Sequence, residues 1–213
     1  MSSTDNSQDR PPIPSRQDYY RRATELGFAA AGNQAEGQFR WLGAEPAGGC
    51  WRLPVLNDSF DVDLAENRVK TSAGVDVSAP WRILALHYLT ISSRPERHAA
   101  EIVFADLPES RSYAGVYQGR VISRLCATAG RDADRLRQAA EAIGGRPAEG
   151  GDAAFDFDPF PRLSLRLVWH APDEEFPSSA TLLLPANIES YFCAEDVVVL
   201  SECLVARLGG RPF

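Results

Sequence analysis

Residues 59–64 read Ser-Phe-Asp-Val-Asp-Leu, apolar and polar side chains alternating with a period of two. Only an extended chain puts every second side chain on one face, so this run reads as a strand with one buried and one wet face. Asn57-Asp58 supplies a turn ahead of it, and Cys50–Leu56 reads as its antiparallel neighbour. Gln38–Leu42 is read as a further strand of the same meander.

The period changes on both sides of this block. Tyr19, Tyr20, Ala23, Leu26 and Ala30 recur at helical spacing between Arg16 and a stop at Gly32. Ser78 has the chemistry of an N-cap, with Pro80 just inside a helix from Ala79 to about Ile91. That helix carries Trp81, Leu84, Ala85, Tyr88 and Leu89 and is apolar over much of its circumference, so it should lie deep. Glu101–Leu107 reads as a strand, and helices are expected over about Ser112–Ala129 and Asp132–Ile143, the second closed by Gly144-Gly145. Strands return at Ala153–Asp158, Leu163–His170 and Ala180–Leu184. A last helix, Ala194 to Leu208, presents Val197, Ser201, Leu204 and Leu208 on one stripe and ends at Gly209-Gly210.

Elements that come in runs rather than in strict alternation predict an α+β fold, one domain with a mainly antiparallel sheet packed by helices. The domain is placed at 16–213. Residues 1–15, polar and carrying Pro11, Pro12 and Pro14, are expected to form a disordered arm.

Composition narrows function by exclusion. With 44% hydrophobic and 24% charged residues over 213 positions, the chain has an ordinary globular balance. Its formal net charge of −7 opposes nucleic-acid phosphates, so no nucleic-acid partner is expected. Lys70 is the only lysine, so 21 of the 22 basic residues are arginine. GC-rich codon usage accounts for such a bias, and so does a need for guanidinium forks that grip carboxylates or phosphates. The four cysteines form no C-x-x-C pair, which nominates neither zinc nor an iron–sulfur cluster. No apolar run is long enough to span a bilayer, and the first fifteen residues hold no signal-type apolar region, so a cytoplasmic protein without a membrane partner is expected. No P-loop, strand-borne G-x-G-x-x-G or G-x-S-x-G elbow occurs.

Two constellations could carry chemistry. Tyr113, Tyr117, Arg120 and Arg124 recur at intervals of four, three and four along the 112–129 helix, a stripe of hydroxyls and guanidiniums suited to an anionic ligand. The second is Trp169-His170-Ala171-Pro172-Asp173-Glu174-Glu175-Phe176-Pro177, a strand end with three adjacent carboxylates between prolines. Crowded carboxylates raise at least one pKa, and His170 with Asp173 or Glu174 could bind a hard cation. A solvated acidic turn with Trp169 and Phe176 plugged into the core explains the same residues, and the acids could also pair with Arg120 and Arg124. The expected binding set is therefore Tyr113, Tyr117, Arg120, Arg124, Trp169, Asp173, Glu174 and Glu175, with no catalytic residue and no metal ligand assigned. His87 reads as a hydrogen-bonded core histidine and His98 as plain surface. A cysteine nucleophile at Cys126 or Cys203 would need a histidine beside it.

Several short motifs resemble one family when taken together. They are Ile83-Leu84-Ala85-Leu86-His87-Tyr88-Leu89, Val103-Phe104-Ala105-Asp106-Leu107-Pro108 with Tyr113, Gly151-Asp152-Ala153-Ala154-Phe155, Phe160-Pro161-Arg162-Leu163, and Trp169 through Pro177. The family is the bacterial and archaeal domain of unknown function 3786, and the resemblance runs from about Gln17 to Leu208. It implies an accessory or ligand-binding role near redox or corrinoid chemistry, with an iron–sulfur or corrinoid protein as partner, because this chain has no cysteine-rich module. It identifies no cofactor of the chain itself. The expected function is a non-enzymatic module that holds an anionic small molecule or cofactor. A metal-assisted hydrolase using 170–177 and a protein-interaction scaffold are the alternatives.

Overall fold

The computed structural model describes residues 15–97 and 99–213. The expected arm, apart from Ser15, and His98 lie outside the described residues. The fold is α+β: two antiparallel sheets and the helices that cover them share one continuous core.

Helix α1 (Arg16–Gly32) starts where Ser15 Oγ accepts the Asp18 N–H at 3.1 Å. Its buried face holds Gly27, Phe28 and Ala31, whereas Tyr19 and Leu26 of the expected apolar stripe are exposed. Gly27 sets that phase. A Cβ there would stand 2.9 Å from Leu86 Cβ on α3 (Ala79–Thr90), so only a residue without a side chain lets the two helices approach so closely.

Gln38–Leu42 is not a strand. It lies in α2 (Glu36–Trp41) and its C-cap, because Gln38, Phe39 and Leu42 meet the core at intervals of three and four. The Gln38 amide is buried and donates to the carbonyls of Ile91 and Ser93 at 3.1 and 3.0 Å, anchoring α2 to the end of α3.

The first sheet is a meander in the order β1 (Glu45–Ala47), β2 (Cys50–Val55), β3 (Asp58–Asp63), β4 (Arg68–Thr71). Phe60 and Val62 face the core, the alternation read from the sequence. The turn between β2 and β3 falls at Leu56-Asn57, with Leu56 at φ 54°, one residue earlier than expected. Leu56 N–H donates to Asp158 C=O at 3.1 Å, which ties this sheet to the second.

The second sheet runs β5 (Glu101–Val103), β9 (Ser179–Pro185), β8 (Leu163–His170), β7 (Ala153–Phe160), β6 (Arg146–Pro147). The expected strand 101–107 stops at Val103, where the Asp106 carboxylate accepts the Val103 N–H at 3.1 Å and closes a tight turn. Strand β7 continues past Asp158 through an irregularity in its pairing with β8 between Phe157 and Phe160. Outer strands β1 and β6 carry Pro46 and Pro147, which remove donors from two sheet edges.

The expected 112–129 helix is broken into α4 (Ala114–Tyr117), a π turn at Gln118–Ser123, and α5 (Arg124–Ala127). A turn closed from i to i+5 holds more residues than 3.6, so a spacing of four stays on one face. Tyr117, Val121 and Leu125 therefore share the core side. Helix α6 (Ala133–Ala142) is capped by Asp132, which accepts the Arg135 N–H at 2.8 Å, and closed by Gly144 at φ 83°. Helix α7 (Ala194–Leu208) has the expected bounds and buries Val197, Ser201, Leu204 and Leu208. No helix among the described residues is long and apolar enough to cross a membrane.

Candidate functional site

The stripe read from the sequence divides. Tyr117 stacks on Phe104, ring centroids 4.1 Å apart, and burial pushes its phenol up to about 12. Its hydroxyl is buried beside Ser201, so it packs as an aromatic of the core. Tyr113 sits half-buried near Glu195 and Cys193, and the Glu195 carboxylate raises its pKa. Arg120 and Arg124, one on the π turn and one on α5, turn the other way.

The acidic segment lies apart from both arginines. Asp173 Oδ1 accepts the N–H groups of Glu175 and Phe176 at 2.9 and 2.7 Å, and these bonds hold its carboxyl below the usual carboxylate range. Asp173 thus folds its own loop. Glu174 and Glu175 are exposed and, like Asp173, pair with no arginine among the described residues. Trp169 is 2% exposed and its Nε1 donates to Gly130 C=O at 2.8 Å, so it is a core anchor. Phe176 stands 66% exposed and plugs nothing. His170 Nδ1 is 4.0 Å from Asp152, not from the 173–175 carboxylates. Among the described residues no group of three or more His, Cys, Asp or Glu could hold a metal ion.

Arg120 and Arg124 meet partners that the sequence reading missed. They line a cleft of about 640 Å³ together with Arg16, Arg211, Glu195 and Glu202, over a floor that includes Trp81, Cys203 and Phe213. Its volume lies in the ordinary range for small-molecule sites. Helix α7 builds one wall, because Glu195, Val199, Glu202 and Ala206 recur at intervals of four, three and four opposite the core stripe. Arg16 opens α1; its Nε donates to Tyr20 Oη at 2.8 Å and its guanidinium lies 5.3 Å from that ring. Gly210 at φ 80° turns the chain after α7 so that Arg211 returns to the cleft, where its carbonyl accepts from Arg207 Nη1 at 2.7 Å. Trp81 and Phe213 meet edge to face with centroids 5.3 Å apart.

The local charge is opposite to that of the chain. Four arginines, against Glu195, Asp196 and Glu202, line the cleft. Arg120 Nη1 lies 3.5 Å from Glu202 Oε1. Asp196 is taken by His87, whose Nδ1 stands 2.9 Å from Oδ2; that hydrogen bond raises the His87 pKa against the opposing effect of burial. His87 is hydrogen-bonded as expected, but its side chain is 36% exposed rather than in the core. Arg16, Arg124 and Arg211 have no carboxylate within 4.0 Å among the described residues. Cys203 lies in the floor, where burial pushes its thiol up to about 12, so it has no thiolate character for nucleophilic work.

The sequence signals for the missed residues were the outward spacing of Glu195 and Glu202 and the arginines at the two outer ends of the helical pattern. No curated protein and no solved structure matches the chain. The family described as Domain of unknown function (DUF3786) matches residues 39–207, most of the chain, and the protein belongs to that family.

Proposed function

We propose that the cleft between α1, α3, the π turn and α7 is a binding site for an anionic small molecule with an apolar body, and that the protein is a cytoplasmic, non-enzymatic binding module. One observation carries this reading: Arg16, Arg124 and Arg211 line one concavity and have no carboxylate partner among the described residues. Guanidiniums kept free of counter-charges in one concavity favour a ligand carboxylate or phosphate, which takes paired N–H bonds from the fork. Tyr19 and Tyr20 offer aromatic surface beside them. Tyr113 stands near Glu195 outside the set that lines the cleft, and Tyr117, Trp169, Asp173, Glu174 and Glu175 have no part in this reading. An iron–sulfur or corrinoid protein partner, implied by the family resemblance alone, belongs to the same proposal.

Native mass spectrometry of protein purified gently from its own cells tests the reading. The expected result is a stoichiometric extra mass of an acidic compound that is lost in Arg124→Ala. A bare polypeptide mass that persists after incubation with the cell's small-molecule extract would overturn it.

A further inference from the structure

The solvent face of the second sheet carries another recess, of about 300 Å³, separate from the cleft. Its three carboxylates are all engaged. Arg146 grips Asp158 through two bonds of 2.8 and 3.1 Å, and Arg166 grips Asp156 through two of 2.7 and 3.2 Å. Arg166 also reaches Glu101 at 3.3 Å. Two further arginines line the recess, Arg97 and Arg162, and neither has a carboxylate within 4.0 Å among the described residues.

Arg162 is held in place for contact. Its guanidinium lies 3.9 Å from the centroid of the Trp41 ring, and its backbone N–H donates to Tyr88 Oη at 3.1 Å. Its guanidinium lies beside the hydroxyl of Tyr191, a residue only 4% exposed, while its buried Nε meets no hydrogen-bond acceptor. Buried polar groups are normally paired, and an unpaired, partly desolvated cation is costly. What this corner lacks is negative charge.

We propose that the recess is a second binding site, for a compact oxyanion such as a phosphate or a small dicarboxylate, held between Arg97 and Arg162. The bidentate pairs at Arg146 and Arg166 keep the sheet's own acids from competing for those two cations. The small volume excludes the bulkier ligand proposed for the cleft, and every residue of the recess lies within the stretch that matches the family.

Titration calorimetry of the full chain with inorganic phosphate, and separately with malonate, tests this. Saturable binding of one equivalent of at least one probe is expected, and the stronger probe identifies the ligand class. Arg97→Gln, a change at an exposed side chain, should weaken binding by about tenfold or more. Arg162→Lys should weaken it too, since an ammonium keeps the charge but loses the fork. Arg137→Gln, on the exposed face of α6, removes one positive charge elsewhere and should have no effect. Amide shifts induced by the probe should centre on Leu163 and Leu183. No binding of either probe at millimolar concentration, wild-type affinity in Arg97→Gln, or shifts centred on Glu202 would each overturn the proposal, and the first two leave the cleft reading standing.

Discussion

Arg120 reaches Glu202 on α7, 3.5 Å away, and not the carboxylates of the 173–175 loop. The arginines and the acidic loop, possible partners in the sequence, belong to separate parts of the fold. Arg120 is two-thirds exposed, so the pair contributes at most about 1 kcal/mol to stability. Its chemical effect is to occupy one guanidinium of the cleft. Glu202→Gln should leave the melting temperature nearly unchanged and raise affinity for an anionic ligand a few-fold, checked by parallel melting and binding titrations.

Asp173 serves its own loop through the two backbone N–H groups it accepts. Its lowered pKa means that this contribution is present above the ordinary carboxylate range and is lost as pH falls through the folded value. Asp173→Ala should speed amide hydrogen exchange at Glu175 and Phe176 while leaving anion binding untouched. Weakened binding would join the loop to the site.

His87 and Asp196 couple α3 to α7 beside the cleft. The folded pKa of His87 is raised, so its stabilisation is fully present below its unfolded value, about 6.5, and disappears as pH rises through the folded value. Melting curves across this window should show the wild type losing stability relative to His87→Gln as pH rises. Parallel curves for the two proteins would contradict the coupling.

Gly27 and Gly32 lie on the same helix and should respond oppositely to alanine. At Gly27 a Cβ meets Leu86, and overpacking of this kind costs about 1–3 kcal/mol. At Gly32 a Cβ meets nothing within 4 Å, and the gain in helix propensity should make the change neutral or stabilising by up to about 1 kcal/mol. Denaturant unfolding of the two variants reads the contrast directly.

The legible parts of this fold were those with a sustained period. Leu163–His170 and Ala194–Leu208 have the bounds that alternation and helical spacing give them. Gln38–Leu42 is too short to separate the two periods, and its burial on α3 decided for helix. The π turn could not be read from a fixed 3.6-residue repeat, and it moved Tyr117 into the core while leaving Arg120 and Arg124 outside. Those two arginines were legible as candidates. Their company was not, because Arg16, Glu202 and Arg211 come from distant parts of the chain and meet only through packing.

The most direct test of the cleft is a pair of calorimetric titrations on the full chain, one with 1-naphthoate and one with its uncharged amide. The two probes share an apolar body and differ in charge. Naphthoate should bind about tenfold or more tightly than the amide, with the difference collapsing in Arg124→Ala and in Arg211→Ala. Equal affinity for the two probes, or a preference for naphthoate that survives both substitutions, would contradict it.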